Sequence, residues 1–66
     1  MKYYILFQYD VFRTELPAER FGLREDAMKR FNRLVEFFPD RSLYIVEVCF
    51  TDISIVARHC SNQLPH

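Results

Sequence analysis

Glycine is close to absent: Gly22 is the single one among 66 residues. A phosphate-cradling loop needs several glycines in close succession, so nucleotide sites of that kind are excluded. Cysteine occurs twice, at Cys49 and Cys60, too few for a disulfide-built scaffold. Proline occurs three times, there is no repeat or low-complexity stretch, and little room is left for a flexible linker. Charge of one sign is not in excess either. Nine Lys and Arg face nine Asp and Glu, which gives no overall field that would draw the chain to a phosphate backbone or an acidic membrane. No apolar run approaches the roughly 20 residues of a membrane-spanning helix. Lys2 precedes the apolar run Tyr3-Tyr4-Ile5-Leu6-Phe7, but Gln8 and Asp10 interrupt it before a secretion signal could form. A cytoplasmic location is therefore expected.

What the chain does have is apolar and aromatic. Half of the residues are hydrophobic and 17% are aromatic, a composition that folds and does not remain disordered. The length allows one domain, 1–66, with a modest core. A chain this short buries only about 60% of its unfolded surface, so support from a disulfide, a metal or a partner is the usual recourse.

Strand periodicity opens the chain. Tyr3, Ile5, Phe7, Tyr9 and Val11 form one alternating set, and Tyr4, Leu6, Gln8, Asp10 and Phe12 the other, which predicts a strand over about 2–12. Residues 13–22, containing Pro17, are expected to be a connection. From Ala27 onward, Met28, Phe31, Leu34, Val35 and Phe38 fall on one stripe of an amphipathic helix over about 23–38. Glu25 and Asp26 suit its first turn, each with a base four residues on in Lys29 and Arg30, and Pro39 ends it. Residues 42–60 read as a hairpin turning near Asp52 and Ile53, and 61–66 as a frayed tail. The expected fold is α+β: a single β-α-β-β domain whose three-stranded sheet packs one helix on one face.

That arrangement leaves a surplus. One helix covers one sheet face, yet both faces of the strands are apolar, and Tyr4, Leu6, Phe12, Leu43 and Ile45 are the candidates for the uncovered one. An exposed apolar patch on so small a domain marks an interaction surface. Three outcomes remain open: a monomer whose 13–22 connection and C-terminal tail fold over this face, a second copy, in a homodimer joined through the sheet face or an edge strand, or a foreign protein. On the helix, Arg30 and Arg33 flank Phe37, which either packs beneath the 39–42 connection or stands as an aromatic among arginines like those of interface hot spots. The eight candidate contact residues are thus Tyr4, Leu6, Phe12, Leu43, Ile45, Arg30, Arg33 and Phe37.

Other chemistries are poorly served. The aromatic strands could stack single-stranded bases, and the helix bases Arg24, Lys29, Arg30 and Arg33 could meet phosphate. The glycine-flanked basic-aromatic consensus of RNA-recognition modules is missing, however, so nucleic acid is the alternative and not the first reading. His59 and Cys60, with Cys49 and His66, form the one cluster with zinc-ligand types, but neighbours on a strand point to opposite faces. Cys49 is expected opposite about position 57, too far from Cys60 for a disulfide. With no convergent acid-base pair and little concavity, no enzyme, no metal and no cofactor are expected.

The Lys2-Tyr3-Tyr4-Ile5-Leu6-Phe7 strand, the Arg24-Glu25-Asp26-Ala27-Met28 helix start and the Leu43-Tyr44-Ile45-Val46-Glu47-Val48 strand together resemble small proteins encoded by phages and mobile elements, some of them similar to the anti-CRISPR class of inhibitors. The resemblance spans residues 2–60 and is one of architecture and size. It implies a stoichiometric inhibitor that occludes a surface of a host defence complex, and it carries over no residue. Nucleic-acid mimicry is not implied, because the acidic residues are scattered among bases.

Overall fold

The computed structural model describes residues 1–60, so the tail at 61–66, with His66, lies outside the described residues. The chain runs β1 (Tyr3–Tyr9), β2 (Glu15–Phe21), α1 (Arg24–Phe37), β3 (Ser42–Val48) and β4 (Ile53–His59). The strands form one antiparallel sheet in the order β2-β1-β3-β4, so it has four strands where three were expected. The added strand lies in the segment read as a connection. Its residues, Glu-Leu-Pro-Ala-Glu-Arg-Phe, carry charge and a proline. Both are tolerated at a sheet edge, where one side of the backbone has no neighbour. The ladder itself holds β2: Tyr4 pairs with Phe21, Leu6 with Glu19 and Gln8 with Leu16, with one extra residue in β2 between the last two pairs.

The first strand ends at Tyr9, short of the expected 12, because Asp10 starts a turn. Its Oδ1 accepts the N–H groups of Phe12 and Thr14, both at 2.9 Å, and its carbonyl accepts that of Arg13 at 2.9 Å. Arg13 takes a left-handed conformation, φ 64°, an unusual place for an arginine.

The helix matches its sequence stripe as far as Val35, while Phe38 lies just past its end and is exposed. Ala27, Phe31 and Leu34 are buried, with Met28 and Val35 half-buried against the same core. Glu25 and Asp26 occupy the first turn, and the Phe38 N–H closes the last one on Leu34 O at 2.7 Å before Pro39. The helix lies chiefly on β1 and β3, with β2 at its flank.

Beneath it sit Tyr4 and Leu6 of β1 and Leu43 and Ile45 of β3; Leu6, Leu43 and Ile45 are 0% exposed. Gln8 joins them at 5% exposure, and its amide is satisfied on both sides. Arg41 Nη1 donates to Gln8 Oε1 at 3.2 Å, and Gln8 Nε2 donates to Glu19 Oε2 at 3.3 Å. A buried amide left unpaired would cost about 1–3 kcal/mol, so this bridge allows a polar residue inside so small a core.

Candidate interaction surface

The face of the sheet turned away from α1 carries no covering element among the described residues. The register orders it in cross-strand rows. Tyr3, Val48 and Ile53 form one row; Arg20, Ile5, Val46 and Ile55 the next; Phe7, Tyr44 and Arg58 the third; Glu15, Tyr9 and Ser42 the last. A second one-residue bulge, at Val56, lets β4 turn Ile53 and Ile55 to this open face and Val56 and Ala57 to the core. Ile53 and Ile55 are 67% and 62% exposed. The floor is aliphatic at one end and aromatic at the other, and its charges stand on the outer strands, Arg20 and Glu15 on β2 and Arg58 on β4.

The aromatic end is packed against itself. Phe7 and Tyr44 stack with centroids 5.1 Å apart, and Tyr9 stacks on Tyr44 at 6.0 Å with an interplanar angle of 14°. Their hydroxyls meet: Tyr9 Oη lies 3.2 Å from Tyr44 Oη. This hydrogen bond, with burial and the nearby Tyr44 and Glu15, pushes the Tyr9 phenol up to about 12. At the aliphatic end the Arg20 guanidinium lies 4.1 Å over the Tyr3 ring, a cation–π contact. Three tyrosines on one face are the sequence signal for its exposure, because a phenol keeps one end wet.

The face expected to be open is therefore the closed one. Tyr4, Leu6, Leu43 and Ile45 are core residues under α1. Tyr4 also donates to Glu47 Oε2 at 3.0 Å, which with the Cys49 thiol holds the Glu47 carboxyl below its ordinary range. Phe12 is not on a strand face at all; it projects from the β1–β2 turn at 85% exposure. Phe37 is 65% exposed at the end of α1, and does not pack beneath the 39–42 connection. Arg33 is exposed on the same helix. Arg30 reaches β2, its Nε 3.2 Å from Glu19. Along the solvent side of α1, Asp26 and Glu36 alternate with Lys29, Arg30 and Arg33 in a shallow groove, so the helix bases are interleaved with acids.

The cysteines are free thiols. Cys49 lies in the β3–β4 turn, where its N–H bonds to Asp52 O at 2.8 Å, and not opposite position 57. Its thiol donates to Glu47 Oε1 at 3.4 Å, and burial followed by that hydrogen bond raises its pKa. Such a thiol is a poor nucleophile at neutral pH. His59 Nε2 donates to Pro39 O at 3.1 Å. No group of three or more His, Cys, Asp or Glu is placed to hold a metal among the described residues, and no helix is long and apolar enough to cross a membrane.

No family model matches the chain, and neither a curated protein nor a solved structure matches it.

Proposed function

We propose that the chain is a non-enzymatic protein-binding module that works by covering a surface of its partner, with the open sheet face as the contact. One observation carries this reading: a continuous apolar floor across β1, β3 and β4, rimmed by Arg20, Arg58 and Glu15. Left in water, exposed apolar area costs about 25 cal/mol per Å² relative to burial, and a patch of this extent marks a binding site. In the inhibitor setting, the occluded surface belongs to a bacterial defence complex; small size supports that reading.

A nucleic-acid reading draws on Phe7, Tyr9 and Tyr44 lying on the two central strands between Arg20 and Arg58. Stacking of a base needs a ring face turned to solvent. Here the rings are stacked on one another, and Tyr3 is covered by Arg20, so protein is the favoured partner.

The test compares affinity capture from host lysate by the wild type, Ile55→Asp and Phe37→Asp, with circular dichroism confirming each fold. A co-purifying protein retained by Phe37→Asp and lost with Ile55→Asp is expected. Loss with Phe37→Asp alone moves the contact to the helix. A salt-sensitive gel shift of single-stranded DNA or RNA, abolished by Ile55→Asp, replaces the protein reading with the nucleic-acid one.

A further inference from the structure

Resting on the reading of the open sheet face as a protein contact, we infer that its occupant is an amphipathic helix of the partner, apolar along one stripe and acidic on both flanks. The opposite face of the same sheet shows the geometry: α1, 14 residues long, covers strands of 7 residues. A helix of that length spans about 21 Å and a strand of that length about 23 Å, so one helix fits along the ladder. A second helix on the open face completes a layered arrangement in which every apolar sheet face is covered.

Charge selects the flanks. Arg20 on β2 and Arg58 on β4 stand on opposite margins of the floor, one in the Ile5–Val46 row and the other in the Phe7–Tyr44 row. Stacking on Tyr3 holds the Arg20 guanidinium at its margin and leaves its N–H groups free for a carboxylate. Arg58 is exposed. Glu15 is the one acid, and it lies at the far end of β2 beside Tyr9. A helix along the central strands therefore meets a cation on each side, and carboxylates flanking its apolar stripe are the complementary choice. A second copy brings the same arginines and only Glu15 to answer them.

The probe is a synthetic helix-forming peptide with a Leu stripe flanked by Glu. Its control carries Lys in place of Glu. Each is titrated into the 15N-labelled chain and followed by amide shifts. The expected result is perturbation confined to Tyr3, Ile5, Phe7, Tyr44, Ile53 and Ile55, with the Glu peptide binding about tenfold more tightly than the Lys peptide, the scale of a few exposed ion pairs reversed in sign. Arg20→Glu with Arg58→Glu should invert the preference. If both peptides bind this face equally, the acidic-helix assignment is wrong and the protein-contact reading stands. If neither peptide moves the face while an oligo(dT) probe does, or if dilution alone moves it in step with a dimer mass by light scattering, the occupant is nucleic acid or a second copy. The first of these outcomes overturns both readings, the second the acidic-helix assignment. If no titrant or dilution moves it, both readings fall.

Discussion

Single side chains divide sharply between the two faces of one strand. Leu6 is 0% exposed while its neighbours Ile5 and Phe7 face the other way. Leu6→Ala should cost about 2–5 kcal/mol, read as a lowered urea midpoint with an unchanged slope. Leu6→Asp should fail to fold, whereas Ile55→Ala should shift the midpoint little. Tyr9 gives a second measurement. The fold favours its neutral phenol, so its contribution to stability is whole below the ordinary tyrosine value of 10.0 and is lost as pH rises toward about 12. Tyr44→Phe removes the hydroxyl that Tyr9 meets, and should return the late phenolate step in an ultraviolet absorbance titration toward the ordinary range. An unchanged late step would assign the shift to burial and the nearby Glu15.

At the level of elements, the β1–β2 turn is held by the Asp10 side chain around a left-handed Arg13. Glycine adopts that conformation without a side-chain clash, so Arg13→Gly should be neutral or stabilising by up to about 1 kcal/mol, measured as a rise in Tm; a clear fall would mean that the arginine side chain supports the turn. The helix was legible in the sequence because its apolar stripe, its acidic first turn and Pro39 all point to the same bounds. Strand β2 was not, since pairing with β1 holds it and side-chain pattern does not: Glu15, Pro17, Glu19 and Arg20 read as loop. Nor was the choice of face. Both alternating sets of β1 are apolar, a period of two cannot tell inward from outward, and the answer depends on the register that sets Leu6 beside Ile45. That there would be one apolar face too many followed from helix count and strand composition; which residues lie on it did not.

For the molecule as a whole, each of its two hairpins pairs strands adjacent in sequence, and the β1–β3 ladder joins them with the helix laid over the seam. The two outer strands of that sheet are not alike. On β2, Pro17 has no N–H to offer a neighbour, and the extra residue beside it spoils the spacing of the backbone groups. On β4 every residue keeps its N–H and Ile53 and Ile55 stand exposed beside it, but the extra residue at Val56 breaks the even spacing there as well. A fibre needs two receptive margins, one to receive a strand and one to be received. Pro17 removes a donor from the β2 margin, and the extra residues in β2 and β4 break the even spacing of backbone groups on both, so neither margin is a regular template for a further strand. A sheet with this much apolar surface thus carries, in one proline and two extra residues, features that oppose growth strand upon strand, and the proline sits in the strand that its sequence disguises as a loop.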